Sequence, residues 1–133
     1  MTFKELYQYK DLKAEIIEEE NRLSELRERL YALQSPSLGI GGGASGVANH
    51  KELLVNKILD IEEVIRERKI RCEEERLKIE KFIASIEDSY TRQIFTYRFI
   101  EHYSWNKVAM KVSGGISTGD AVRMICIRFL QNY

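Results

Sequence analysis

The sequence predicts an all-α protein: a long antiparallel helical hairpin of coiled-coil type, followed by three short C-terminal helices. Three observations predict it. Apolar residues recur at alternating steps of three and four along two long stretches, the spacing of a coiled-coil seam. Between those stretches lies a segment holding the only proline and five of the eight glycines. From Tyr90 onward, three shorter apolar periodicities are separated by two compact turn signals.

The first helix is expected to start at Thr2, a capping residue with Glu5 three positions on, and to run without Gly or Pro to about Gln34. Tyr9, Leu12, Ile16, Leu23, Leu26, Leu30 and Leu33 form its seam, broken only by Glu19. At ~1.5 Å per residue such a helix is on the order of 45 Å long, too long to bury itself, so it must pair. Residues 35–49 (SPSLGIGGGASGVAN) read as a flexible connector. A phosphate-cradling loop is excluded there, because no GK[ST] and no preceding strand accompany the glycines. From about His50 the pattern returns with Leu54, Ile58, Ile61, Ile65, Cys72, Ile79, Phe82 and Ile86, interrupted at Arg68 and Glu75. Two helices of similar length with a flexible join most simply fold back seam to seam, and pairing between chains is the alternative. Charges at seam positions cost stability but fix register or partner, which keeps a dimer or higher bundle in view.

The chain divides at residue 87/88 into the hairpin, 1–87, and a C-terminal unit, 88–133. Ser85, Asp88 and Ser89 offer capping chemistry for a helix whose apolar face is Ile94, Phe95, Phe99 and Ile100, with Arg92 and Arg98 on its polar side and an end near His102. Ser104 caps the next helix, in which Trp105, Val108, Ala109 and Val112 stand at i, i+3, i+4 and i+7; that spacing assigns Trp105 to the core. Ser113-Gly114-Gly115 forces a turn, and Ser117 or Thr118 caps a last helix with Val122, Ile125, Cys126, Phe129 and Leu130 facing inward. Two short helices around a tight turn make a helix-turn-helix, whose second helix, here about 118–131, enters the major groove of DNA. Thr118, Gly119, Asp120, Arg123 and Met124 lie on the first turns of that helix, with Arg128 further along. Ser117 beside them, and Lys107 and Lys111 on the preceding helix, complete the candidate DNA-contacting set. Arg123 is the leading candidate for base or phosphate contact, against the blander role of pairing with Asp120 three residues before it.

Charge placement agrees with that division. The formal net charge is zero. Residues 1–87 nevertheless carry 15 Lys and Arg against 18 Asp and Glu, and residues 88–133 carry 6 against 3. A surplus this small implies weak binding of DNA by one copy and a gain from two. Catalytic chemistry is not legible: no nucleophile and base stand together, and no cofactor loop is present. His50 and His102 are far apart and read as solvated helix ends. Glu18-Glu19-Glu20 and Glu73-Glu74-Glu75 fan around their helices by ~100° per residue and cannot converge on one ion. Cys72 and Cys126 lack ligand or disulfide spacing, so neither zinc nor a disulfide framework is expected, and a reduced, cytoplasmic setting is. No run approaches the ~20 apolar residues of a membrane span, and no signal-peptide pattern opens the chain.

The stretches RQIFTYRFIEHYSWNKVAMKV and STGDAVRMICIRFL resemble the sigma-factor region 4-like helix-turn-helix of bacteriophage and prophage transcriptional regulators of the RinA/ArpU type. The resemblance rests on Arg92, Phe95, Arg98 and Phe99, on Ser104-Trp105 with Val108-Ala109, and on Val122-Arg123 with Arg128 and Leu130. It covers about a third of the chain. The turn Ser113-Gly114-Gly115-Ile116-Ser117 is longer and richer in glycine than the L-G-x-S turn common in such readers. The resemblance implies a phage- or prophage-encoded regulator acting in the cytoplasm of a bacterial host.

The expected function is therefore sequence-specific binding of double-stranded DNA and regulation of transcription, without a cofactor or metal, by a homodimer or higher homo-oligomer held through the helical stalk. The competing expectations are a protein-interaction module that docks RNA polymerase or another regulator through the coiled coil, and a small DNA-packaging subunit.

Overall fold

A computed structural model describes residues 1–34 and 44–133. Every regular element among them is helical: α1 (Phe3–Gln34), α2 (Ala44–Ala84), α3 (Ser89–Phe95) continued by a π-helical turn (Thr96–Ile100), α4 (Trp105–Ser113) and α5 (Gly119–Gln131). The all-α expectation and the long helix pair are both met.

Packing groups these residues into two compact units, Lys13–Arg71 and Met1–Leu12 with Cys72–Tyr133. In the first, α1 and α2 run antiparallel: Glu15 and Glu19 pair with Arg68, Glu20 with Lys69, and Arg27 further along α1 with Glu62 further back along α2. The seam read from the sequence closes here. Leu23, Leu26, Leu54, Ile58 and Ile65 form a buried cluster, with Leu30, Leu33 and Ile61 packed against it. At about 1.5–3 kcal/mol per buried aliphatic side chain, this cluster outweighs the exposed ion pairs beside it, each worth about 0–1 kcal/mol. Of the three charges that interrupt the seam, Glu75 pairs with Lys78 on its own helix, and Glu19 and Arg68 pair with each other. Arg68 lies 2.8 Å from Glu15 and 3.0 Å from Glu19, whose side chain is only 13% exposed and also receives Arg22 at 2.8 Å. Their pairing within one chain locks the register of the hairpin.

One boundary differs from expectation. Residues 44–49, read as part of the connector, are helical and belong to α2. Extending a helix already begun downstream needs no new nucleus, so the cost of one glycine, Gly46, about 1 kcal/mol against alanine, does not stop it. The rest of the expected connector, 35–43, lies outside the described residues.

In the second unit the start of α1, the end of α2 and the C-terminal helices share one core: Leu6, Ile79, Ile94, Phe95, Phe99, Val108, Val122 and Cys126 are all essentially inaccessible. A capping box opens α1, in which Thr2 N donates to Glu5 Oε2 at 2.7 Å and Glu5 N donates to Thr2 Oγ1 at 3.3 Å. Rings tie the elements together edge to face: Phe82 with Phe95 at 5.7 Å, Phe95 with Phe129 at 5.5 Å, and Tyr7 with Phe99 at 5.5 Å.

Candidate nucleic-acid interface

Asp88 is the residue that starts the C-terminal helices. Its carboxylate accepts from Thr91 N at 2.9 Å and Thr91 Oγ1 at 2.7 Å. Those bonds favour the ionised form and hold its pKa below the ordinary aspartate value. Arg92 then reaches back, its Nη1 donating to the Ile86 and Glu87 carbonyls at 2.6 and 2.8 Å. Arg98 is spent in the same way. It donates to the Tyr103 carbonyl at 2.9 Å and to Tyr7 Oη at 3.1 Å, with its guanidinium carbon 4.5 Å from the Trp105 ring centroid. Trp105 itself is half-buried between Arg98 and the edge of Phe99, rather than enclosed in the core as its spacing suggested. A large ring at the first position of a helix packs on one face only and leaves the other to the cation. His102 is likewise no solvated helix end: it is half-buried at φ +60°, edge-on to Tyr9 at 5.2 Å.

The helix-turn-helix is built by three short devices. Ser104 caps α4, accepting from Lys107 N at 3.2 Å. Gly114, at φ +64°, and Gly115, at φ +92°, reverse the chain after α4 in a conformation that side chains with a Cβ rarely adopt. Ser113 ties the turn, its Oγ donating to the Ala109 carbonyl at 2.6 Å and accepting from Ser117 N at 3.0 Å. Thr118, rather than Ser117, caps α5, accepting from Ala121 N at 3.1 Å.

The candidate residues fall into two groups. Gly119 is buried. A Cβ there would run into Asn106 Oδ1 and lie 3.0 Å from Asn106 N and 3.1 Å from the Trp105 carbonyl carbon, so glycine at this position serves close approach of α4 and α5. Ser117 is half-buried in the turn. Thr118 at the cap of α5 and Asp120, Arg123, Met124 and Arg128 along it are exposed, as are Lys107 and Lys111 on α4. Among the described residues none of Lys107, Lys111, Asp120, Arg123 and Arg128 forms an ion pair, so Asp120 does not neutralise Arg123. Lys107 rests its Nζ 3.8 Å from the Tyr103 ring centroid and stays exposed. Of six cations in the C-terminal segment, two are therefore consumed internally and four face solvent on adjoining helices. Sequence reasoning missed Ala121, exposed on the same helix, and the apolar Met110 and Ile116, the latter 92% exposed at the tip of the turn. An apolar residue after two glycines reads as turn filler, and its exposure carries no periodic signature.

Cys126, beneath this surface, is buried to the point that its thiol pKa is pushed up to about 12 by desolvation, with Arg98 opposing weakly. An open, shallow cleft of the unit is lined by Arg92, Gln93, Tyr97, Glu101 and Tyr103 beside the π turn and holds no nucleophile paired with a base. Among the described residues no group of three or more His, Cys, Asp or Glu is placed to hold a metal ion, and no helix is long and apolar enough to cross a membrane. No family model, no curated protein and no solved structure matches the chain.

Proposed function

We propose that this protein binds double-stranded DNA sequence-specifically and regulates transcription, with α5 as its recognition helix in the major groove. One observation carries the reading: four cations free of any acidic partner, Lys107, Lys111, Arg123 and Arg128, on the exposed faces of two helices joined by a tight, doubly capped turn. Four like charges on one helix-turn-helix repel one another, and a phosphate backbone relieves that repulsion. Four contacts per copy give weak binding, so the regulator acts as a homodimer or higher homo-oligomer that places two readers on two half-sites. The resemblance noted above extends this to a phage- or prophage-encoded regulator in a bacterial cytoplasm.

A second reading, docking of RNA polymerase or another regulator through the hairpin, draws on Ile17, Leu59 and Ile70, each more than half exposed on α1 and α2. Selection separates the two. The purified protein is incubated with sheared genomic DNA from its source, and the retained fragments are sequenced, with Arg123→Ala and Arg128→Ala alongside. Enrichment of one discrete sequence is expected, with less DNA retained by both arginine variants; recovery without sequence preference overturns the regulator, and no recovery at low salt overturns it and favours the protein-docking role.

A further inference from the structure

The exposed face of α5 has a centre and an edge, and the arginine singled out by the sequence lies on the edge. The two side chains of α5 with no accessible surface are Val122 and Cys126, which together fix the inward direction of the helix. At about 100° per residue, the position diametrically opposite their mean direction is Met124. Asp120, one turn earlier, and Arg128, one turn later, lie within about 40° of that line, whereas Arg123 is displaced from it by about 100°. Arg123 therefore shares its side of the helix with the buried Gly119 and the half-buried Leu130. Met124 is 37% exposed and carries the only large apolar side chain on the centre line of the first two turns.

These positions have different chemistry to offer a major groove. A central thioether side chain has no hydrogen bond to give and matches the one apolar group displayed there, the C5-methyl of thymine. An unpaired carboxylate one turn before it accepts from the exocyclic amino group of cytosine or adenine and repels phosphate. A cation on the flank of the helix is directed at the wall of the groove, where the phosphates are.

We infer that α5 reads bases along the line Asp120, Met124 and Arg128, with Met124 contacting a thymine methyl, and that Arg123 is a phosphate contact. This inference rests on the DNA-binding reading and assigns the specificity within it. It predicts a binding site with a thymine whose methyl group contributes and whose neighbour presents an amino group.

The test uses the full-length protein and the duplex recovered by selection. Each thymine is replaced in turn by deoxyuridine, which removes the methyl and leaves every hydrogen-bonding group in place. One position per half-site is expected to lose about fourfold in affinity, the equivalent of one methyl group, and Met124→Ala is expected to abolish that difference. Arg123→Ala is expected to weaken matched and scrambled duplexes equally and to reduce the salt slope by about one. Because the uracil series changes only the DNA, its outcome does not depend on the folding of a variant. Specific binding that is indifferent to every uracil, a uracil effect that persists in Met124→Ala, or an Arg123→Ala variant that loses base preference overturns the inference while the DNA-binding reading stands. Absence of DNA binding at low salt overturns both.

Discussion

Replacing Gly119 by alanine places a single methyl group where α4 and α5 touch. Its contact with Asn106 Oδ1 is relieved by rotating a side chain, but those at 3.0 Å to Asn106 N and 3.1 Å to the Trp105 carbonyl carbon are with backbone. Both are a few tenths of an ångström inside ordinary van der Waals separation, so the first turn of α4 must move off α5. Overpacking of this kind costs about 1–3 kcal/mol, and alanine returns about 0.5–1 kcal/mol through its better helix propensity. The net expectation is a loss of about 1–2 kcal/mol. Gly46 supplies the control: it is exposed near the start of α2 with nothing within 4 Å of an added Cβ. Gly46→Ala is therefore expected to stabilise by up to about 1 kcal/mol. Urea unfolding at 25 °C, followed by circular dichroism and by fluorescence of Trp105, the only tryptophan and itself part of the contact, measures both. The reasoning is refuted if Gly119→Ala is as stable as the parent, or if the two substitutions shift the midpoint in the same direction.

Three further outcomes are expected. Arg68→Glu sets a third carboxylate beside Glu15 and Glu19 and should cost about 2 kcal/mol or more, with Glu19→Arg in the same chain restoring part of it; an unchanged urea midpoint would show that the seam charges do not fix register. The lowered pKa of Asp88 means that its cap contributes stability above the ordinary aspartate pKa and loses it as pH falls through the lower folded-state value. Asp88→Asn, which keeps an acceptor for Thr91 but cannot titrate, should flatten the acid limb of the thermal-stability profile, and an identical limb in both proteins would contradict the cap. Cys126, with its thiol pKa at about 12, should resist alkylation at pH 8 in the native protein and react readily in urea; native labelling at the rate of a free thiol would show that the core beneath α5 is open.

The features legible in the sequence are those written in local pattern. The seam from Tyr9 to Leu33, its counterpart from Leu54 to Ile86, and the caps at Thr2, Asp88, Ser104 and Thr118 depend on spacing or on residues three positions apart. What was not legible depends on meetings across the chain. Arg98 reads as a polar helix position, and its capture by Tyr7, 91 residues away, removes it from the cations available to a ligand. Gly119 reads as part of the reading surface until the helix it packs against is in place. The π turn of Thr96–Ile100 widens a helix that the pattern alone leaves regular, and residues 44–49 extend α2 because propagation tolerates a glycine that nucleation would not. Within the candidate interface the residue types were legible. Which side chains face outward, and which of those lie at the centre, required the directions of Val122 and Cys126.

The most direct test of the account is the salt dependence of DNA binding. Fluorescence anisotropy on a duplex carrying one half-site, between 50 and 200 mM salt, reads how many phosphates each copy neutralises. With Arg128 turned to the bases, the phosphate contacts Lys107, Lys111 and Arg123 predict a log–log slope of about −2.7 per reader and a loss of about 40-fold over that range. Counting Arg92 and Arg98 as well would give about −4.5. A slope near −2.7 that falls by about one with Arg123→Ala matches the surface described. A slope near zero, or one that Arg123→Ala and Arg128→Ala leave unchanged, would contradict the claim that this helix-turn-helix is a DNA reader.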